Sequence, residues 1–128
     1  DEETASGVTY TGPWQSAALS RASGGAVRYA TNIGRTATLS FTGTDVAWVA
    51  TRGQNRGIAE IWLGGVKART VDLYSERTDY QQIYWLGPGL ARGPHTLEIR
   101  VTGQKHPDSS RARVDIDAFV VLGSQVGS

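Results

Sequence analysis

The chain has 128 residues, of which 13 are Lys or Arg and 12 are Asp or Glu, so its formal net charge is +1. Because the basic residues are scattered instead of forming one patch, the sequence disfavours a nucleic-acid partner. It contains no Cys, which excludes disulfides, thiolate metal sites and a thiol nucleophile.

The composition favours a single all-β domain. Sixteen Gly, four Trp and five Tyr accompany short, alternating apolar runs, which are typical of strands and not of helices. The length allows one core without disulfide or metal staples. No apolar run approaches the ~18 residues of a membrane span, so we expect no membrane partner. The sequence has no Met, so Asp1 is not a translational start, and we interpret the chain as a module cut from a larger protein.

Nine strands are predicted in chain order, separated by turn-forming Gly, Pro, Asn and Asp. Residues 1–7 are interpreted as a linker or disordered lead-in, residues 8–123 as the domain and residues 124–128 as a tail. A surface loop is predicted up to residue 25, with Trp14 folded back over the core. The predicted strands cover residues 8–12, 26–30, 35–41, 46–52, 58–63, 66–74, 80–86, 95–101 and 113–122.

The spacing of these strands indicates the fold class. They recur roughly every ten residues with no helix between them, which predicts an antiparallel β-sandwich or jelly roll. No internal repeat is present, which disfavours a propeller or a solenoid. The fold expected is therefore all-β, in about nine strands and without substantial helix.

The stretch from residue 45 to residue 65 organises the predicted site. It contains two strands joined by a glycine-bracketed loop, and we expect these strands to pair. Their alternation would place Trp48, Arg52, Glu60 and Trp62 on one sheet face, because side chains two residues apart share a face. Flat apolar surface beside charged hydrogen-bonding groups suits a sugar ring. The alternative is that the tryptophans fill the core and the charges lie at strand ends.

The loop between these strands, RGQNRG, superficially resembles a glycine-rich phosphate cradle. No helix follows it, however, so a nucleotide site is disfavoured. A structural role is the better interpretation: Gly53 and Gly57 permit the bend, and Asn55 and Arg56 bond neighbouring loop carbonyls.

Candidates for catalysis are few. His95 and His106 have no sequence motif around them, and motif-free histidines are seldom catalytic. Asp115 and Asp117 are predicted to lie on one side of the last strand, about 7 Å apart by strand rise. A glycosidase needs one carboxylate on each side of the scissile bond. An enzyme is therefore disfavoured, and a small hydrolase using this aspartate pair ranks last among the functions considered.

Several segments together resemble a known family. In chain order they are YTGPW, ASGGAVRYA, GTDVAWVATRGQNRGIAEIWLGG, VDLYS, YQQ, GPHTLEIRVTG and VDIDAFVV. From Tyr10 to Val121 the chain resembles the galactose-binding-like β-sandwich domains appended to secreted bacterial enzymes and cell-surface proteins. The resemblance implies a jelly roll of two antiparallel sheets, a ligand site on the concave face or the loop rim, and secretion to an extracellular location.

The resemblance also implies that a structural calcium is often present. In the calcium-bearing relatives a carboxylate of the first strand pairs with an acidic residue of the last strand, and the first strand here, VTYTG, has none. Asp115 and Asp117 alone supply too few oxygen ligands. We therefore expect no cofactor and no metal site, and instead a salt bridge from Asp115 or Asp117 to Arg52 or Arg100.

The function predicted is a non-catalytic carbohydrate-binding module that targets a secreted multidomain protein to a polysaccharide or glycan. The partners expected are that glycan and the attached catalytic or cell-surface domains, with the module itself a monomer. The alternative is a structural spacer or a protein-interaction or adhesion domain. The ligand-binding residues predicted are Trp48, Arg52, Glu60, Trp62, Tyr74, Tyr80, Gln81, Lys105, His106 and Asp117.

Overall fold

The computed structural model describes residues 3–4, 8–12, 14–18, 26–86, 90 and 94–122. Within these ranges every helix or strand element is a strand, and there are twelve. They are β1 (Glu3–Thr4), β2 (Val8–Thr11), β3 (Gln15–Ala18), β4 (Ala26–Ala30), β5 (Thr36–Thr42), β6 (Asp45–Arg52), β7 (Ile58–Leu63), β8 (Val66–Asp72), β9 (Asp79–Leu86), β10 (Pro94–Val101), β11 (Val114–Ile116) and β12 (Ala118–Leu122). Over the same ranges there is no helix of the length and hydropathy needed to cross a membrane.

The strands form three antiparallel sheets. A four-stranded sheet has the order β1-β12-β6-β9, a five-stranded sheet has the order β2-β5-β10-β7-β8, and a three-stranded sheet has the order β11-β4-β3. Every pairing between named strands is antiparallel. The predicted antiparallel all-β sandwich is therefore confirmed.

The core lies between the four-stranded and five-stranded sheets. Along β10, Leu97, Ile99 and Val101 are buried while the residues between them are half-buried. β5, β6 and β10 each contribute every second side chain to this core, because the pleat turns successive side chains to opposite faces. The buried core comprises Ala30, Ala37, Leu39, Phe41, Val46, Trp48, Ala50, Ala59, Ile61, Val71, Leu73, Leu97, Ile99, Val101, Val114, Ile116, Phe119 and Val121. Trp14 packs against this core, as predicted.

The predicted pairing of β6 with β7 is wrong. β6 lies between β12 and β9 in the four-stranded sheet, whereas β7 lies between β10 and β8 in the five-stranded sheet. The loop between them therefore crosses from one sheet to the other. At the end of that loop Gly57 packs on Ala112 so closely that a Cβ atom would lie 2.5 Å from the Ala112 carbonyl carbon. Gly57 is thus required by close backbone approach as well as by the bend.

The structure differs from the predicted elements in three further places. β3 lies inside the predicted surface loop and pairs with β4; residues 19–25 of that loop lie outside the described residues. The predicted last strand is two strands, because Asp117 interrupts it and donates its backbone N–H to the Val49 carbonyl at 2.9 Å. Within the predicted lead-in, Glu3 and Thr4 pair with β12. The rest of that lead-in and the predicted tail lie outside the described residues.

Candidate ligand-binding site

The outer face of the five-stranded sheet carries the most polar arrangement of aromatic and charged side chains near a cleft. On β7, Glu60 and Trp62 are turned outward because Ala59 and Ile61 are buried. This confirms that Glu60 and Trp62 share a face. The register of β7 with β10 sets Trp62 opposite Glu98, and Glu60 opposite Arg100.

These four residues, called here the Trp62 cluster, hold one another in place. The Trp62 indole Nε1–H donates to Glu60 Oε1 at 3.0 Å. Arg100 donates from Nε to Glu98 Oε2 at 3.0 Å and from Nη2 to Glu98 Oε1 at 3.2 Å. The Arg100 guanidinium carbon lies 3.8 Å from the centroid of the Trp62 ring. Bidentate and cation–π contacts of this kind orient the charged groups before any ligand arrives.

A cleft of about 460 Å³ borders the Trp62 cluster. At its mouth the Ile33 side chain is 71 % exposed, so the cleft offers an apolar patch beside hydroxyl, amide, carboxylate and guanidinium groups. Its lining residues are Ile33, Gly34, Arg35, Thr36, Glu60, Glu98, Arg100, Val101, Thr102 and Gln104. This combination suits a polar ligand that also has apolar surface.

A second cleft, of about 500 Å³, lies where β5 and β10 meet the β7–β8 turn. The Phe41 and His95 rings lie against each other there, with their centroids 5.3 Å apart. Its lining residues are Ser40, Phe41, Thr42, Gly64, Pro94, His95 and Thr96. The two clefts are both bordered by β5 and β10.

Trp48 does not belong to a ligand site. Its side chain is 1 % exposed, its indole Nε1–H donates to the Asp115 backbone carbonyl at 3.1 Å, and its ring packs 5.5 Å from that of Tyr84. The predicted role of Trp48 as a sugar platform is wrong, because β6 turns this side chain into the core. The alternative, that a tryptophan of the central stretch fills the core, is right for Trp48.

Asp117 is also buried, at 7 % exposure. The Thr51 hydroxyl donates to Asp117 Oδ2 at 3.0 Å, while Asp117 Oδ1 has no hydrogen-bond partner among the described residues. Burial raises the pKa of Asp117 to about 6, with the Thr51 hydrogen bond opposing the shift. A carboxyl group in this position does not face a ligand on the surface, so the predicted ligand role of Asp117 is wrong.

Asp115 is fully buried and held by two arginines. Arg113 donates from Nε to Asp115 Oδ1 at 2.8 Å, and Arg56 donates from Nη2 to Asp115 Oδ2 at 3.2 Å. The predicted salt bridge to Arg52 or Arg100 is therefore replaced by one to Arg56 and Arg113. Burial lowers the pKa of Arg56, and the charge of Asp115 opposes that shift.

The carboxylates of this region do not fit calcium. Calcium prefers six to eight oxygen ligands, and the Asp115 oxygens already accept from two guanidinium groups. Among the described residues no group of three or more His, Cys, Asp and Glu is arranged to hold a metal ion.

Three predicted residues meet at the loop end of β6. Arg52 donates from Nη2 to the Tyr74 backbone carbonyl at 3.0 Å. The Tyr74 and His106 rings are stacked, with centroids 4.5 Å apart and planes 10° apart. His106 Nδ1 accepts the backbone N–H of Asp108 at 3.0 Å. The stacked rings of Tyr74 and His106 thus form an aromatic surface that is separate from the Trp62 cluster.

The remaining predicted residues are distributed over neighbouring loops and strands. Tyr80 is half-buried at the start of β9, and Gln81 is exposed at a β-bulge with φ of 56°. Lys105 is exposed in the loop that carries His106. The ten predicted residues therefore divide among the outer sheet face, the loop end and the core, instead of forming one surface.

Glu98 and Arg100 were not among the predicted ligand-binding residues. The alternation of β10 in the sequence indicates that both side chains point outward. Only the register of β10 with β7 brings them beside Trp62. Ile83 and Trp85 on β9 were missed as well. They are 53 % and 40 % exposed, and they are set against Val49 and Ala47 on the face turned away from the core.

Comparison with known proteins shows the fold. No model of a known protein family matches the sequence. The chain is 34 % identical over 99 residues to the A type blood N-acetyl-α-D-galactosamine deacetylase of Flavonifractor plautii. The matched region covers 77 % of this chain and 13 % of the deacetylase. The chain thus spans about an eighth of the length of this curated relative.

Solved structures of similar shape come from carbohydrate-active proteins. The CBM36-1 domain of a multidomain xylanase from the hindgut metagenome of Trinervitermes trinervoides has a TM-score of 0.65 and 16 % identity, over 98 % of this chain and 100 % of that domain. A Paenibacillus xanthan lyase has a TM-score of 0.67 and 16 % identity, over 89 % of this chain and 12 % of the lyase. A family two carbohydrate esterase from Cellvibrio japonicus has a TM-score of 0.67 and 14 % identity, over 98 % of this chain and 34 % of the esterase. The predicted resemblance to β-sandwich domains of this kind is confirmed at the level of the fold.

Proposed function

We propose that this chain is a non-catalytic carbohydrate-binding module of a longer carbohydrate-active protein, and that it targets that protein to a polysaccharide or glycan. The observation that carries the proposal is the Trp62 cluster beside the cleft of about 460 Å³. The similarity to part of a deacetylase that acts on a sugar, and to a domain of a multidomain xylanase, supports it.

The chemistry of the cluster fits a sugar. A sugar ring presents C–H groups on its faces and hydroxyl groups around its rim, so it needs an apolar surface beside fixed hydrogen-bonding groups. The exposed Ile33 supplies apolar surface, Glu60, Glu98 and Arg100 supply acceptors and donors, and Trp62 orients Glu60 and Arg100. All but Ile33 lie on paired strands, so the geometry is rigid before binding.

The surroundings of Ser109, His106 and Asp115 support a non-catalytic role. The Ser109 hydroxyl is buried and lies within hydrogen-bond distance of three backbone carbonyls, with that of Arg56 at 2.7 Å. His106 Nδ1 is bonded to the Asp108 amide, and Asp115 is held between two arginines. These groups therefore serve to hold loops together and are poorly placed to activate a nucleophile.

A module of this kind binds weakly by itself. A shallow polar site loses solvation for each hydroxyl that it captures, so the affinity for a single glycan chain is modest. Attachment to a larger protein raises the effective concentration of the site, which makes weak binding useful. The expected setting is a secreted or extracellular protein, in which this module is monomeric.

Isothermal titration calorimetry against a glycan panel tests the proposed function. The panel is xylan, mannopentaose, cellohexaose, xanthan and N-acetyl-α-D-galactosamine, each with calcium and with a chelator. Saturable binding to one of these glycans is expected, with loss of binding in Trp62→Ala and Glu60→Gln. Trp85→Ala is the matched control, since it removes a tryptophan from the opposite sheet. A folded protein that binds nothing in the panel would contradict the proposal.

The alternative function, a structural or protein-interaction domain, is favoured by one observation. Ile83 and Trp85 form exposed apolar surface on β9, which is the last strand of its sheet, and the chain resembles a small part of a much longer protein. In this alternative, a neighbouring domain of the longer protein packs against the surface formed by Ile83 and Trp85. Trp85→Ala would then weaken contact with the neighbouring domain and leave glycan binding unchanged.

A further inference from the structure

We propose that the outer face of the five-stranded sheet binds an internal segment of a linear glycan, laid along β10 and contacting both clefts. This inference rests on the proposed function and adds the mode of binding and the class of ligand. It distinguishes a module that holds the middle of a chain from one that captures a single sugar or a chain end.

The register of β5 with β10 places the two clefts in one row. Outward residues of the two strands pair as Ser40 with Thr96, Thr38 with Glu98, and Thr36 with Arg100. The first pair borders the cleft of about 500 Å³, and the last pair borders the cleft of about 460 Å³. Thr96 and Arg100 are four residues apart, or roughly 14 Å along a strand. The row with its clefts is therefore longer than one sugar ring.

The groups along the row favour hydroxyl-bearing ligands. Thr36, Thr38, Ser40 and Thr96 present side-chain hydroxyls that both donate and accept hydrogen bonds. Between the clefts the larger side chain, Glu98, is held by its two bonds to Arg100. The Arg100 guanidinium in turn lies over the Trp62 ring. These contacts hold both long side chains in fixed positions beside the hydroxyl groups of the row.

The charges of the Trp62 cluster favour hydroxyl groups of the glycan at this place. Glu98 and Arg100 compensate each other through a bidentate pair. Glu60 accepts from Trp62, and its second oxygen lies 3.9 Å from Lys67 Nζ. A charged group bound at the cluster would have to break one of these pairs and leave its partner uncompensated, whereas hydroxyl groups can share them.

In the part of the chain that the structure describes, exposed side chains border both ends of the row, which favours an internal segment over a chain end. At one end Ser40, Thr42 and Thr96 are exposed, and at the other Ile33 and Gln104 are exposed. A site for a terminal sugar needs a wall that stops the chain. In the described residues neither end of the row has such a wall, so a chain can enter at one cleft and leave at the other.

A chain-length series on the unmodified protein tests the inference. Calorimetry is performed with the mono-, tri- and hexasaccharide of the panel glycan that binds, and with the hexasaccharide reduced at its end by borohydride. We expect the hexasaccharide to bind about tenfold more tightly than the monosaccharide, and end reduction to change its affinity by less than about twofold. Equal affinities for the three lengths, or loss of binding on end reduction, would overturn the inference and leave the proposed function intact.

A blocking variant locates the second half of the row. Ser40→Arg places a long cation in the distant cleft and is expected to weaken hexasaccharide binding about tenfold while leaving trisaccharide binding at the Trp62 cluster within about twofold. Ile83→Arg is the matched control, because it adds the same exposed charge on the opposite sheet. An unchanged hexasaccharide affinity in folded Ser40→Arg contradicts the row. If no panel glycan binds the unmodified protein, the proposed function and this inference both fail.

Discussion

Arg100 lies over Trp62, with its guanidinium carbon 3.8 Å from the ring centroid, although the two residues belong to different strands of the sheet. The contact joins the aromatic part of the candidate site to its charged part. It also explains why Trp62 is half-buried on an outer face. In the proposed binding mode, the ligand would contact the guanidinium group that Trp62 holds in place.

Removal of Arg100 separates the two parts of the site. Arg100→Ala is expected to lower the free energy of unfolding by about 0.5–1 kcal/mol, the size of a partly exposed cation–π contact. Glycan affinity is expected to fall about tenfold, because Glu98 loses the partner that orients it. Urea denaturation and calorimetry measure the two effects. Arg77→Ala, an exposed arginine of the turn before β9, serves as control; equal losses in both variants would contradict a specific role for Arg100.

Trp48 is expected to be a core residue in every respect. Trp48→Ala removes a large buried side chain and leaves the Asp115 carbonyl without its indole donor. Cavity formation of this kind costs about 3–5 kcal/mol, so the urea midpoint should fall far more than in Trp62→Ala. Glycan affinity of the fraction that remains folded should not change. A loss of affinity without loss of stability would return Trp48 to the binding site.

Asp117 makes stability fall as the pH rises. Its pKa is about 6 in the folded protein and 3.8 as a reference value for the unfolded chain, so between these values the folded state retains a proton that the unfolded state has released. The unfavourable contribution is absent below about pH 4 and complete above about pH 6. Asp117→Asn mimics the protonated group and should raise the free energy of unfolding by about 1–3 kcal/mol at pH 8.

The pH dependence of this variant is the decisive measurement. The advantage of Asp117→Asn should vanish as the pH approaches 4, where both side chains are neutral. Asp108→Asn, at a carboxylate with 73 % exposure, is the control and should show no comparable gain. Chemical denaturation at pH 4, 6 and 8 gives both curves. A destabilised Asp117→Asn at pH 8 would show that the buried carboxylate is favourable there.

Gly57 is required because the backbone of Ala112 lies against it. An added Cβ would lie 2.5 Å from the Ala112 carbonyl carbon, whereas at Gly53 the nearest atom, Asn55 Oδ1, is at 3.6 Å. Gly57→Ala should therefore destabilise the protein by about 1–3 kcal/mol, the cost of forcing backbone apart. Gly53→Ala should change stability much less. Thermal melts of the pair test this, and similar melting temperatures would contradict the close approach.

The local part of the fold could be predicted from the sequence. Alternation along β7 correctly placed Glu60 with Trp62 on one face, and the same alternation accounts for the burial of Ile61, Leu97 and Ile99. This information is local, because the pleat turns successive side chains to opposite faces whatever the partner strand is. The all-β class followed from the same periodicity and from the turn residues.

Strand partners could not be predicted in the same way. β6 and β7 are neighbours in the chain and both alternate, yet they belong to different sheets. A period of two is satisfied by any partner at the correct register, so pairing is decided by the sum of contacts across the whole sheet. The position of Glu98 and Arg100 beside Trp62 depends on the pairing of β10 with β7, and it was missed for the same reason.

The sequence by itself determined the class of fold, most strand positions and the residue types available to a site. Only the tertiary structure decided which of two similar tryptophans lies in the core and which lies on an outer face. Trp48 and Trp62 both lie in alternating strands next to charged residues, but Trp48 is turned toward the second sheet and Trp62 away from it. A strand has two equivalent faces until a second layer covers one of them, and that choice depends on contacts between residues far apart in the chain.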